Sequence, residues 1–164
     1  MSLDMTNKFK PEMGRGDTGL TDLPTGKRVK KTDPRIKALG LIDELGAVIG
    51  LVKVKLSGKK GAEEFTRMQQ ALLTVGSHAA GINFATKLKT ETTYLETRIG
   101  KLSSASKPPL KFILPGRTET EALIHLARTK ARICEISLWE TNSAPAAVYL
   151  NRLSDYLFLL AGKI

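Results

Sequence analysis

Apolar residues recur at helical spacing along most of this chain. Ile36, Leu39, Ile42, Leu45, Ile49 and Val52 fall three or four positions apart, which gathers them on one face of an α-helix. Thr32-Asp33-Pro34 precedes them: Asp33 is a suitable N-cap, and Pro34 fits the first helical position, where no backbone N–H is required. Ser57-Gly58 marks the end. A second helix is predicted from near Ala62, with Phe65, Met68, Leu72, Val75 and Ile82 on one face. A third, with a weaker pattern, runs from about Thr90 to Leu102 and turns Leu95 and Ile99 inward. Ser103 to Gly116 reads as a loop in which Phe112, Ile113 and Leu114 pack or line something. Thr118 with Glu121 is a capping-box pattern that opens a fourth helix, to about Glu140. Ser143-Ala144-Pro145 starts a fifth, which continues almost to the last residue. No run alternates at period two over a useful length. The expected fold is all-α, a five-helix up-and-down bundle over residues 33–164, preceded by an arm over residues 1–32.

Composition changes this picture little. A chain of 164 residues suffices for one domain with a sizeable core. No apolar run approaches the roughly 20 residues that cross a bilayer, and MSLDMTNKFK lacks the apolar core of a signal peptide. The single Cys134 has no partner for an internal disulfide and points to a cytoplasmic setting. A net charge of +10 calls for an anionic partner or serves solubility. Nucleic acid is disfavoured, because only 5% of residues are aromatic and there is no zinc-ligand spacing or RNP-like run.

Three segments carry candidate chemistry. Gly16 to Leu45 joins a glycine-containing loop and a basic cluster to a helix with a buried-looking Asp43-Glu44 pair, an arrangement suited to a polyanion such as a nucleoside triphosphate. On the fourth helix, His125, Arg128, Arg132 and Glu135 form one polar stripe. On the fifth, Asn151, Ser154 and Asp155 interrupt an otherwise apolar helix and need partners. Arg15-Gly16-Asp17 spells an adhesion tripeptide by chance. His78 and His125 lack a metal-ligand partner at helical spacing, and Cys134 faces the apolar side of its helix. A GxxxxGK[ST] loop and a GxGxxG turn are both absent, so a nucleotide would be held by another scaffold.

Taken together, Gly16-Asp17-x-Gly19-x-Thr21, Arg28-Val29-x-Lys31 and Asp33-x-Arg35-x-x-Ala38-x-Gly40-x-x-Asp43-Glu44-Leu45 resemble the N-terminal signature of the PduO-type ATP:cob(I)alamin adenosyltransferases. FILPG (Phe112 to Gly116), LARTKAR (Leu126 to Arg132) and NRLSD (Asn151 to Asp155) resemble the remaining signatures, in the same order. The resemblance implies a ferritin-like bundle assembled as a homotrimer, with active sites between subunits. It implies transfer of the 5′-deoxyadenosyl group of ATP to the cobalt of a reduced corrinoid, with release of triphosphate.

By residue, the resemblance implies that the loop around Arg15, Gly16, Asp17, Gly19 and Thr21 wraps ATP and that Lys30 and Lys31 approach its phosphates. Arg132 and Asn151 would hold the nucleotide, and Glu135 would support ATP and Mg²⁺, with no direct metal ligand assigned. Asp43 and Arg128 would pair across the subunit interface. Phe112 would sit under the corrin and exclude the lower axial ligand, which makes Co(II) easier to reduce. A reductase and an adenosylcobalamin-dependent enzyme are the further partners such a reaction implies. The chain departs from the pattern at Met13 and Gly14 (Thr and Lys), Arg117 (Gly), Ile133 and Ile136 (Arg) and His78 (Asp). Those departures keep open an alternative: a non-catalytic nucleotide- or corrinoid-binding trimer of the same fold.

Overall fold

The computed structural model describes residues 13–57, 61–104 and 114–164. They form a β-hairpin, β1 (Leu20–Asp22) and β2 (Arg28–Lys30), and helices α1 (Pro34–Lys55), α2 (Ala62–Ala79), α3 (Ala85–Ser104), α4 (Glu119–Trp139) and α5 (Ala144–Ala161). α4 packs mainly on α5 and α1, α3 on α5, and α2 on α1. The expected five-helix bundle is therefore present. No helix among the described residues is long and apolar enough to cross a membrane.

The helix starts follow from local chemistry. The Asp33 carboxylate accepts from the backbone N–H of Arg35 at 2.9 Å, satisfying one of the free donors of the first turn of α1. The same carboxylate binds the Arg35 guanidinium through two atoms, at 3.0 and 2.8 Å. This pairing, above all the side-chain hydrogen bond, lowers the Asp33 pKa to about 2. At α4, Thr118 Oγ1 accepts from the Glu121 N–H at 3.1 Å. The capping box is only half formed, because the Glu121 carboxylate turns away to the N–H groups of Gly116 and Arg117.

The core is one apolar cluster that draws on every helix, with Phe65, Leu45, Ile49, Leu88, Ile124, Leu138, Leu150 and Leu157 fully enclosed. Each such side chain contributes about 1.5–3 kcal/mol relative to leaving it in water. Cys134 lies within this core, and burial raises its thiol pKa to about 12. Where α2 and α3 share little apolar contact, polar groups join them. Tyr94 donates to Glu64 at 2.9 Å, Arg98 pairs with Glu64 at 2.7 Å, and the Arg67 guanidinium lies 3.5 Å over the Tyr94 ring.

Four local expectations need correction. A two-stranded antiparallel hairpin, with Thr21 opposite Val29, lies in the segment read as loop. Its strands are three residues each, too short to register as alternation. Helix α3 begins at Ala85, five residues before Thr90, in a stretch rich in lysine and threonine with only Leu88 to bury. Ile82 lies beyond the end of α2 and is 38% exposed. Asp43 and Glu44 are exposed on α1; Glu44 pairs with Lys130 of α4 at 2.6 Å.

Candidate functional site

One half of the predicted site assembles on α4 and α5. Arg132 Nη1 lies 2.6 Å from Glu135 Oε2 and donates to Asn151 Oδ1 at 3.4 Å. Steps of three and four bring Arg128, Arg132 and Glu135 along one side of α4, and Asn151 meets them because α5 packs alongside. Glu135 is nearly buried, and the Trp139 indole donates to its Oε1 at 3.2 Å. Arg132 supplies the opposite charge that so enclosed a carboxylate requires, and Trp139 fixes its orientation. Arg132, by contrast, is 47% exposed in its side chain and free to meet a further anion. Ser154 donates to the Asn151 carbonyl at 2.8 Å, and Asp155 lies 3.6 Å from Arg152, so the polar positions of α5 are partnered.

A pocket of about 390 Å³ opens between α3, α4 and α5, lined by Ile99, Arg128, Arg132, Asp155, Phe158 and Leu159. Ile99, Phe158 and Leu159 give it apolar surface, and two cations, Arg128 and Arg132, stand beside one carboxylate, Asp155, a combination suited to a ligand with an anionic part. Arg128 Nε donates to Nδ1 of the buried His125 at 3.3 Å. Phe112 lies outside the described residues. Leu114, the next described residue of that loop, is 85% exposed.

The N-terminal arm forms the other half. Gly14 and Gly19 adopt φ of 85° and 75°, which L side chains rarely adopt, so the loop closes tightly around Asp17. Gly16 lies against Lys31: a Cβ there would stand 3.1 Å from Lys31 Nζ, the end of a flexible side chain that can shift. The loop is tied to the hairpin by Lys31 N–H donating to the Gly19 carbonyl at 2.8 Å. Asp22 then gathers Arg15 at 2.9 Å and Arg28 at 3.3 Å, while Arg28 donates to the Arg15 carbonyl at 2.7 Å. Thr21 lies on β1 and Lys30 on β2. Leu23 and Val29 anchor the hairpin against Ile36, Leu39 and Ala80, at one end of α1 and α2.

The two halves are separate within the chain. Gly16, Asp17, Gly19, Thr21, Lys30 and Lys31 make no described hydrogen bond or ion pair to α4 or α5. Asp43 likewise does not reach Arg128; it lines a different concavity of about 470 Å³ between α1 and α2, beside Pro24 of the hairpin. Sequence reasoning missed the contact of Trp139 with Glu135 and the Asp22 cluster that joins Arg15 to Arg28. Glu135 and Trp139 stand four apart, a helical contact spacing that would have found the first. Among the described residues no group of three His, Cys, Asp or Glu converges as a metal cage. His78, set aside as a ligand, instead accepts from the Phe84 N–H at 3.1 Å.

Known proteins match this chain in sequence and in fold. The family model for cobalamin adenosyltransferase fits residues 12–164. A corrinoid adenosyltransferase of Bacillus subtilis is 38% identical over 158 residues, covering 89% of this chain and 81% of the relative. The corrinoid adenosyltransferase PduO of Salmonella typhimurium is 36% identical across 89% of this chain, which spans 47% of that longer protein. Among solved structures, a variant PduO-type ATP:corrinoid adenosyltransferase from Lactobacillus reuteri, complexed with cobalamin and ATP, superposes with a TM-score of 0.82 at 30% identity, over 93% of this chain and 91% of that one. A further variant of the Lactobacillus reuteri enzyme, complexed with ATP, gives 0.80 at 30% identity, over 92% and 91%. With a family model matched over all but its first residues and relatives at this level of identity, the chain belongs to the cobalamin adenosyltransferase family.

Proposed function

We propose that this chain is a corrinoid adenosyltransferase that moves the 5′-deoxyadenosyl group of ATP to the cobalt of a reduced corrinoid and releases triphosphate. The observation that carries the reading is the cluster of Arg132, Glu135 and Asn151 beside a pocket rimmed by Arg128, in a chain of this family. The arm and the α4–α5 face lie apart in one chain, so a complete site needs two subunits, the arm of one meeting α4 and α5 of the next. That arrangement suits a homotrimer in which Asp43 of one subunit pairs with Arg128 of its neighbour.

The reacting nucleophile is the substrate's own Co(I), so the chain need not supply a nucleophilic side chain. Its task is to hold the ribose C5′ in line with cobalt and to stabilise the departing triphosphate. Arg132, braced by Glu135, and Asn151 hold the nucleotide on one side. On the other, Arg15, Lys30 and Lys31 face the phosphates beside the Gly16–Thr21 loop, whose Asp17 and Gly19 N–H groups close its own turns. Mg²⁺ arriving with ATP would have Glu135 as its nearby carboxylate on the protein side, an oxygen of which Arg132 or Trp139 would have to release. Bound there it would supply further positive charge against the leaving triphosphate. By the family resemblance, Phe112 would supply the apolar wall under the corrin. A reductase supplies the Co(I) state, and the setting is cytoplasmic.

An anaerobic assay with ATP, Mg²⁺ and cob(I)alamin, followed by the corrinoid absorbance change, tests the reading. Product formation that Arg132→Ala impairs is expected; saturable ATP binding without product would overturn it. The second outcome would favour a non-catalytic nucleotide- or corrinoid-binding role. Ile133 and Ile136 motivate that alternative: 46% and 59% exposed, they present methyl groups where the family pattern places arginine.

A further inference from the structure

Glu121 has no exposed surface, yet no step of the reaction above uses it. Its Oε2 accepts from the backbone N–H groups of Gly116 at 2.7 Å and Arg117 at 3.1 Å. Its Oε1 faces His125 Nε2 at 3.3 Å and Arg117 Nε at 3.5 Å. The angles fall short of a well-formed hydrogen bond, but neither Oε1 nor Nε2 has another hydrogen-bonding partner, so each depends on the other. Arg117 also donates to the Ala161 carbonyl at 3.0 Å, which ties this corner to the end of α5.

His125 links the corner to the pocket. Its ring is enclosed, edge-on to Phe158 with 6.2 Å between centroids. Burial holds its pKa below the ordinary imidazole value, so the ring is neutral and carries one N–H. Since Nδ1 accepts from Arg128 Nε at 3.3 Å, the proton belongs on Nε2, which stands 3.3 Å from the Glu121 carboxylate. The Gly116 amide, first among its partners, lowers the Glu121 pKa and keeps it an anion.

We propose that Glu121 is a positioning residue for the adenosyl transfer: it fixes the Nε2–H tautomer of His125, which orients Arg128, and pins the Gly116–Arg117 end of the loop that follows Phe112. The proposal rests on the reading of Arg128 and Phe112 given above. An ordinary helix staple would need only the two loop N–H groups. The Glu121–His125–Arg128 line continues instead, at steps of four and three, from the loop to the pocket rim.

Glu121→Gln tests it, because glutamine keeps the volume and one acceptor oxygen. With that oxygen on the loop amides, its NH₂ meets His125 Nε2–H, donor against donor, and the ring must release Arg128 or switch tautomer. The expected result is a kcat lowered about tenfold and a raised corrinoid KM, with ATP KM within about twofold of wild type. Histidine ¹⁵N chemical shifts give a readout separate from activity, and only two histidines, His78 and His125, contribute. Wild type should show His125 as Nε2–H, and the variant should lose that signature. Should the variant not fold, Arg117→Ala, at a side chain 55% exposed, removes the tie of the loop end to α5 and the contact with Glu121 Oε1, keeps the two loop N–H bonds to Glu121, and should raise corrinoid KM alone. Unchanged kinetics and unchanged ¹⁵N shifts in an active, folded Glu121→Gln protein would overturn the proposal. A wild-type chain without transfer activity would instead defeat the functional reading. The nitrogen spectrum would then decide this one, with Nδ1–H His125 counting against it.

Discussion

The Arg132 guanidinium stands 2.6 Å from the carboxylate of Glu135, one turn further along α4. Arg132→Ala removes the cation that neutralises a nearly buried anion and also removes a donor to Asn151. Because the charge that develops on triphosphate is met chiefly in the transition state, kcat/KM should fall by about 100-fold, and more through kcat than through KM. Arg132→Lys keeps the charge without the planar fork and should fall between the two. Steady-state kinetics with ATP varied at saturating corrinoid provides the check; a variant within twofold of wild type would remove Arg132 from the site.

Asp43 and Arg128 make a second prediction, about assembly. Asp43 is exposed and lines the α1–α2 concavity, whereas Arg128 rims the α3–α4–α5 pocket. A pair between them therefore has to span two subunits. Asp43→Arg and Arg128→Asp should each weaken the oligomer, and the double exchange should restore it in part, by a coupling of about 0.5–3 kcal/mol. Sedimentation velocity across a protein dilution series reads the outcome. Additive effects of the two changes would sever the pairing.

Much of this was legible in the sequence, for reasons that particular residues make plain. Asp33-Pro34 and Thr118 start helices through contacts within a few residues, so a linear reading finds them. The Arg128–Arg132–Glu135 stripe is likewise set by helical spacing alone. The β-hairpin was not legible, because strands of three residues are held by Leu23 and Val29 packing on distant Ala80. Nor was the destination of Glu121: a capping-box glutamate normally returns to its own cap. Here it is drawn to Gly116, Arg117 and His125, a choice that needs the loop, α4 and α5 in place together.

A third prediction concerns Cys134, 1% exposed, its thiol pKa raised by burial to about 12. At neutral pH it is a protonated thiol shielded from reagents, and the thiolate is the reactive form. The native protein should leave Ellman's reagent almost unreacted for hours, then react with one equivalent on denaturation. Rapid labelling of the folded chain would mean that α4 opens locally far more often than its core position allows.

The fourth prediction is a pH dependence with a defined sign. Asp33 has a folded pKa of about 2 against an ordinary 3.8, chiefly through its side-chain hydrogen bond to Arg35. A group whose folded pKa is depressed binds its proton more weakly folded than unfolded, so it stabilises the fold above its unfolded value. That contribution is complete above about pH 4 and is lost as pH falls toward 2. Asp33→Ala should therefore be less stable than wild type at pH 7, and the gap should narrow progressively between pH 4 and pH 2.5. Asp33→Asn retains a capping oxygen but not the ion pair, so it should lie between them at pH 7. Its deficit against wild type should close over the same acidic window, since only the charge-dependent part is lost there. Urea denaturation at pH 7, 4, 3 and 2.5 measures all three proteins on one scale. A gap between wild type and Asp33→Ala that stays constant over this range would show that the charge on Asp33 contributes nothing to stability, through the cap or through the ion pair.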